Sequence, residues 1–127
     1  MTAQKMAVVN ALRDAGRTHP TAETVYALAK RHLPTIALGT VYRNLSKMVE
    51  SGEVVRILVP DGADRFDADI SDHMHILCIG CGKIYDIEEN NVKVEISNVP
   101  EDVQLIRFDV MAKCLCADCK QHGLNKK

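Results

Sequence analysis

Two C-x-x-C pairs constrain this chain more than any other feature of its sequence. Their members are Cys78, Cys81, Cys116 and Cys119. Two such pairs, well separated along the chain, are a strong signal for a tetrahedral structural zinc site. A thiol–disulfide motif is the alternative, but that motif lies at a strand-to-helix turn of a βαβ unit, which the sequence does not predict. The spacing therefore favours zinc.

The fifth cysteine, Cys114, lies two residues before Cys116. In a strand both side chains would point the same way, so Cys114 could compete as a ligand. The C-x-x-C spacing favours Cys116 and Cys119 instead. Cys114 is then expected to be a small buried apolar residue.

A second group of metal ligands precedes the first cysteine pair. His73 and His75 share one face of a predicted strand, and Asp67 and Asp86 lie on either side of them. Cys78 has the opposite strand parity, which favours two separate sites. Imidazole and carboxylate ligands without thiolate suit Fe²⁺, Mn²⁺ or Zn²⁺. His32 and His122 lack such neighbours: we expect His32 to pack on its own helix and His122 to be solvated.

The first half of the chain has the pattern of three short helices followed by a hairpin. Apolar residues recur at helical spacing within residues 3–15, 22–33 and 38–51, with Gly16, Pro34 and Gly52 as terminators. A β-type run at 54–59 leads through a Pro-Asp-Gly turn into a return strand at Arg65. This order predicts a winged helix-turn-helix domain over residues 1–67, with a generic helical domain as the alternative.

The third helix carries polar side chains opposite its apolar face. They are Thr40, Tyr42, Arg43, Asn44 and Lys47, all able to bond phosphates or base edges. Residues 1–60 hold eight Lys/Arg and four Asp/Glu, whereas residues 61–127 hold eight and thirteen. A basic half beside an acidic half fits a nucleic-acid reader joined to a metal-binding module, although chance scatter of charge fits equally well.

The second half, residues 68–127, is predicted to be a small α/β domain, which makes the chain α+β. Strands are expected at 73–79, at 83–87 and late in 103–114, and a short helix at 88–98. The chain begins with no long apolar run, so we expect no signal peptide and no membrane span. We therefore expect the protein to be located in a reducing cytoplasm, where cysteines bind metal more often than they form disulfides.

Several motifs in this order resemble the ferric uptake regulator family across nearly the whole chain. They are Thr2-x-Gln4-Lys5, His19-Pro20-Thr21-Ala22-Glu23, Thr40-Val41-Tyr42-Arg43-Asn44-Leu45, Ser51-Gly52, Arg65-Phe66-Asp67, Asp72-His73-x-His75-x-x-Cys78-x-x-Cys81-Gly82-Lys83 and Cys116-x-x-Cys119. Ala37 stands where the family has a serine cap on the third helix, so Thr35 is the alternative cap.

The resemblance implies a homodimeric, metal-dependent repressor that binds double-stranded operator DNA and is not an enzyme. It also implies that the four cysteines hold structural zinc. By the same resemblance, a regulatory site takes Fe²⁺ or Mn²⁺, with Zn²⁺ as an alternative occupant. Its ligands match His19, Asp67, His73, His75 and Asp86. Aspartates at the second and last of these positions are similar to the peroxide-responsive branch.

Two other functions remain open from the sequence. One is an iron- or zinc-uptake repressor of the same family, which senses metal availability without peroxide chemistry. The other is a zinc metalloenzyme such as a deaminase. A deaminase needs a catalytic glutamate in an H-x-E motif, whereas this chain has His75 at the third position.

Overall fold

The computed structural model describes residues 2–70, 73–88, 93, 95–106 and 110–121, except for the side chains of His73 and Glu88. The chain divides into two compact units, Met1–Ser71 (unit 1) and Asp72–Lys127 (unit 2). None of the helices among the described residues has the length and apolar composition needed to span a membrane.

Unit 1 begins with three α-helices: α1 (Ala3–Ala15), α2 (Ala22–Ala29) and α3 (Leu38–Glu50). Threonine hydroxyls cap the first two helices. Thr2 accepts from the backbone N–H of Lys5, and Thr21 accepts from that of Thr24. Such caps satisfy backbone donors that the first helical turn leaves unpaired.

Two details of these helices differ from the sequence predictions. Helix α2 ends at Ala29 rather than near Pro34, because the next residues form a turn in which His32 N–H bonds to the Ala29 carbonyl at 2.9 Å. Helix α3 starts after Ala37, and no side chain caps it, so the prediction that Thr35 caps this helix was wrong. Thr35 lies two positions before the N-cap.

A continuous aliphatic core lies among the three helices and the strands that follow. Its fully buried members include Val8, Val25, Val41 and Leu45, one or more from each helix, and Phe66 packs with them. The periodic apolar positions of each helix therefore meet in one place, which is how amphipathic helices of this length are stabilised.

The hairpin of unit 1 consists of β1 (Val55–Ile57) and β2 (Arg65–Asp67), paired antiparallel. Strand β2 is also tied to the segment that precedes α2. Phe66 N–H donates to the Pro20 carbonyl at 2.9 Å, and Thr21 forms an isolated bridge with Arg65. These bonds fix Asp67, the last residue of β2, against the loop that contains His19.

Unit 2 is built on a three-stranded sheet followed by a short helix. Strands β3 (His73–Cys78), β4 (Ile84–Glu88) and β5 (Met111–Cys114) lie in the order β4-β3-β5, and α4 is Ala117–Gln121. Strand β3 pairs antiparallel with β4 and parallel with β5.

The helix predicted at 88–98 is not found where it can be checked. Glu88 ends β4, and residues 93 and 95–98 are not helical, while 89–92 and 94 lie outside the described residues. The apolar alternation at Val92, Val94 and Ile96 fits a strand as well as a helix, so the periodicity was ambiguous. The strand predicted late in 103–114 is present as β5.

Candidate metal centres and nucleic-acid interface

Four thiols of unit 2 converge at the ends of β3 and β5. The sulfur atoms of Cys78, Cys81, Cys116 and Cys119 all lie within 4.8 Å of one another. Sγ of Cys78 is 3.6 Å from that of Cys119, and Sγ of Cys81 is 3.9 Å from that of Cys116. Tetrahedral zinc with bonds of about 2.3 Å places neighbouring sulfurs about 3.8 Å apart. The four thiols therefore have the spacing that zinc requires, and none forms a disulfide.

The first C-x-x-C forms a tight turn that depends on glycine. A Cβ atom on Gly80 would lie 2.6 Å from Cys119 Sγ, so only glycine fits against the cluster there. Gly82 has φ of 81°, the left-handed region that glycine adopts without strain. Its N–H donates to the Cys78 carbonyl at 2.9 Å and closes the turn.

Backbone donors already favour a thiolate within the cluster. The Cys116 N–H points at Cys78 Sγ from 3.4 Å. Together with the N–H groups of Cys81 and Gly80, this lowers the pKa of Cys78 to about 6. Burial, with the neighbouring thiols, raises the pKa of Cys119. A divalent cation would deprotonate both, since it is the counter-charge that buried thiolates need.

Cys114 stands beside this cluster without belonging to it. It pairs in register with Cys78 across the parallel strands and is half-buried, rather than fully buried as predicted. Burial raises the pKa of Cys114, which favours the neutral thiol. This is the behaviour of a packing residue.

A histidine and a carboxylate are buried together in unit 1. His19 Nε2 lies 3.6 Å from Asp67 Oδ2, and the two side chains are only 3% and 4% exposed. The φ angle of His19 is 54°, a left-handed conformation that is unusual for a residue before proline. Strained backbone of this kind clusters at functional sites, where the surrounding structure holds it in place.

Hydrogen bonds orient this pair. Asp67 Oδ1 accepts from the Asp69 N–H at 2.9 Å, so Oδ2 remains the oxygen directed at His19. Arg65 Nη1 donates to the His19 carbonyl at 2.9 Å. Such supporting bonds fix ligand geometry at metal sites. The sequence analysis identified neither of these bonds. The Arg65 bond spans 46 positions and has no local signal, whereas a bond from the Asp69 N–H to the Asp67 carboxylate, two residues earlier, is a turn that aspartate favours.

A second histidine–carboxylate pair lies in unit 2. His75 and Asp86 are opposite each other on β3 and β4, and His75 Nε2 is 3.5 Å from Asp86 Oδ1. Opposed residues of antiparallel strands share one face of the sheet, which brings these side chains together. His73 begins β3 two residues earlier, and its side chain lies outside the described part of the chain, as does His122.

The polar face of α3 lies opposite the buried Val41, Leu45 and Met48, and its Thr40 and Asn44 are half-buried. Two of the side chains predicted to contact DNA bond to Thr40 of the same helix. Arg43 Nη2 donates to Thr40 Oγ1, and Asn44 Nδ2 donates to the Thr40 carbonyl, both at 2.9 Å. Tyr42 is 44% exposed, and Arg43 and Lys47 are also exposed.

Two contacts of unit 1 were not predicted from the sequence. The Tyr42 hydroxyl donates to Glu23 Oε1 of α2 at 2.7 Å. His32 does not simply pack on its helix, because its Nε2 lies 2.7 Å from Asp14 Oδ2 of α1. Both pairs join residues far apart in the sequence, and no local pattern indicates them.

Comparison with known proteins finds one family over most of the chain. The sequence profile of the ferric uptake regulator family matches residues 1–112. The peroxide-responsive repressor PerR of Staphylococcus epidermidis is 31% identical over 127 residues, covering 97% of this chain and 83% of that protein. The protein of the same name from Staphylococcus aureus (strain USA300) is 35% identical over 125 residues, covering 94% and 82%.

A solved structure shares the fold. The peroxide stress regulator of Campylobacter jejuni superposes with a TM-score of 0.70 at 26% identity, covering 91% of this chain and 88% of that one. The sequence profile, the two relatives and this structure agree with one another. The chain belongs to the ferric uptake regulator family.

Proposed function

We propose that this protein is a metal-dependent transcriptional repressor that binds DNA and responds to hydrogen peroxide. The observation that carries the proposal is the pairing of a histidine with an aspartate in each unit, His19 with Asp67 and His75 with Asp86. The relatives named peroxide-responsive repressors, 31% and 35% identical over most of their length, support the same function.

The DNA-binding part of the proposal is a winged helix-turn-helix over residues 1–67. Helix α3 is the recognition helix, with the β1–β2 hairpin as the wing. Thr40, Tyr42, Arg43, Asn44 and Lys47 are the proposed DNA contacts. The exposed cations Arg43 and Lys47 suit phosphate oxygens and guanine, and the opposite face of α3 is committed to the core.

Residues 68–127 are proposed to form the dimerisation domain. Its described residues include exposed apolar side chains in a stretch without helix or strand: Ile96, Val99, Val103, Leu105 and Ile106. Apolar surface of this kind marks an interaction site, and a second copy of the chain is the proposed partner. Zinc at the four cysteines would hold β3, β5 and α4 together.

The regulatory site is proposed to use His19, Asp67, His73, His75 and Asp86 as ligands of one ion. Imidazole and carboxylate donors fit Fe²⁺ or Mn²⁺, and they also accept Zn²⁺. Asp67 would bind through Oδ2, because Oδ1 accepts from Asp69. Ligands supplied by both units would make operator affinity depend on the ion, since ion and DNA would favour the same arrangement.

Bound Fe²⁺ would supply the one-electron chemistry that starts cleavage of the O–O bond of hydrogen peroxide, and the two electrons of the net reaction would come from the imidazole that is oxidised. In the net reaction, one peroxide oxygen is added at a ring carbon of His19 or His73, and the other leaves as water. The oxidised ring is a poor ligand, so the link between the ligands is lost and the repressor releases DNA.

The test compares the Fe²⁺ and Mn²⁺ forms before and after a low dose of peroxide, with gel shift on operator DNA and peptide mass spectrometry. We expect added oxygen on His19 or His73 and loss of binding in the Fe²⁺ form alone. Equal reaction of both forms, or oxidation confined to cysteines, would contradict peroxide sensing and leave a repressor that senses metal availability.

A further inference from the structure

The hydrogen bond between Tyr42 and Glu23 restricts what Tyr42 can recognise. A phenol carries a single proton, and Tyr42 donates that proton to Glu23 Oε1 at 2.7 Å. The same hydrogen bond is the main cause that raises the pKa of Tyr42. Its oxygen can therefore offer only lone pairs to a further partner.

Both members of the pair then present acceptors to the outside. The Glu23 carboxylate accepts hydrogen bonds and repels anions, and Tyr42 Oη accepts as well. Neither group suits a phosphate oxygen, which is itself an anionic acceptor. In the major groove, the groups that can donate to such acceptors are the amino groups of adenine N6 and cytosine N4, each with one hydrogen that Watson–Crick pairing leaves free.

The pair lies beside groups of opposite character. Arg43 follows Tyr42 directly on α3, and its guanidinium is held toward Thr40 at 2.9 Å. Lys47 lies further along the same helix and is exposed. Cations can bind phosphate oxygens and guanine, whereas the acceptors of Glu23 and Tyr42 cannot. The surface around α3 therefore offers two kinds of DNA contact.

We infer that Glu23 and Tyr42 form a base-reading pair that selects an adenine or cytosine amino group and rejects phosphate. Glu23 is thereby a specificity-determining residue supplied by α2 to the surface of α3. This inference rests on the proposed function, because it assigns one part of the proposed DNA surface to base recognition.

The experiment first selects a preferred duplex from a random-sequence pool with the Mn²⁺-loaded full chain. Dissociation constants are then measured on that duplex and on a scrambled one across a range of salt concentrations. The variants are Tyr42→Phe, Glu23→Ala and their combination, with Lys47→Ala as the matched phosphate-contact control. Thermal unfolding checks that each variant is folded.

We expect Tyr42→Phe to weaken binding to the selected duplex about 10-fold more than binding to the scrambled duplex, within the range of one base contact, with the salt slope unchanged. Lys47→Ala should weaken both duplexes and reduce the salt slope by about one. The double variant should bind no more weakly than the weaker single variant, because the two residues act as one unit.

Base analogues identify the atom that is read. Purine in place of adenine, or 2-pyrimidinone in place of cytosine, removes the amino group. At one position of the selected duplex, this replacement should weaken the binding of the wild-type chain about 10-fold and leave the binding of Tyr42→Phe unchanged.

Two results would overturn the inference while leaving the proposed function intact. One is a salt slope that falls in Tyr42→Phe as it does in Lys47→Ala. The other is a loss of affinity in the double variant that equals the product of the losses in the two single variants. A wild-type chain that selects no sequence from the pool would instead overturn the proposed function, and the base-reading pair with it.

Discussion

The two units of this protein are stabilised in different ways. Unit 1 buries a continuous aliphatic cluster drawn from three helices and the hairpin. Among the described residues of unit 2, the buried side chains are Leu77, Cys78, Ile84 and Cys119, and two of these four are proposed zinc ligands. A domain with so small a core needs another source of stability. From this contrast we propose that zinc at the four cysteines takes the place of a larger core in unit 2.

The largest expected effect is the loss of a zinc ligand. Cys119→Ser should abolish zinc binding and unfold unit 2, since metal affinity is folding free energy in a small metal-dependent domain. Hydrogen exchange followed by mass spectrometry should show protection lost in β3, β4 and β5 and retained in α1 to α3.

Cys114→Ser is the matched control, because it removes a thiol from the nearby strand β5 without removing a proposed ligand. It should keep its zinc. A Cys114→Ser protein without zinc would show that the fourth thiolate had been wrongly assigned.

A cavity in unit 1 should produce the converse result. Leu45 is fully buried, and Leu45→Ala should lower the free energy of unfolding of unit 1 by about 2–5 kcal/mol. Zinc content should not change. Leu58→Ala is the control, because Leu58 is 69% exposed. Urea unfolding followed by the circular dichroism of the helices measures the free energy of unfolding of both variants. Loss of zinc in Leu45→Ala would show that the core of unit 1 and the zinc site of unit 2 are not independent.

The turn at the first C-x-x-C offers a smaller perturbation of unit 2. Gly80→Ala places a Cβ 2.6 Å from Cys119 Sγ, so the thiol must shift. We expect a cost of about 1–3 kcal/mol, the range for overpacking, seen as faster zinc loss to a chelator. Lys83→Ala, at an exposed position just after the turn, should lose zinc at the wild-type rate. Equal rates for the two variants would show that the close approach at Gly80 is not needed.

The smallest effect concerns an ion pair on unit 1. The Ser51 hydroxyl and then Lys5 lower the pKa of Glu53, and Lys5 Nζ lies 3.1 Å from Glu53 Oε1. A lowered folded-state pKa stabilises the protein above the ordinary carboxyl pKa, and the contribution is lost as the pH falls through the folded value. Glu53→Gln should therefore be slightly less stable than wild type at pH 7, with the difference fading in acid. Urea unfolding at pH 7 and in acid measures this difference in stability between Glu53→Gln and wild type. A difference that grows in acid would contradict the stabilising role assigned to the Glu53 carboxylate.

The sequence determined those features that depend on local pattern or on ligand chemistry. The helical spacing of α1 and α3 follows from neighbours within a turn, and the structure confirms it. The two C-x-x-C pairs indicated a cluster because few residue types bind zinc. Local pattern could not decide the segment at 88–98, where strand and helix periodicities coincide.

Tertiary structure alone decided which distant groups meet. The sequence contains no signal that Glu23 bonds to Tyr42 or that His32 bonds to Asp14. Each of these contacts depends on how helices and strands pack, which is set by the sum of many apolar contacts across the fold. Ligand identity is a property of residue type, whereas the orientation and partners of a side chain are properties of the packed chain.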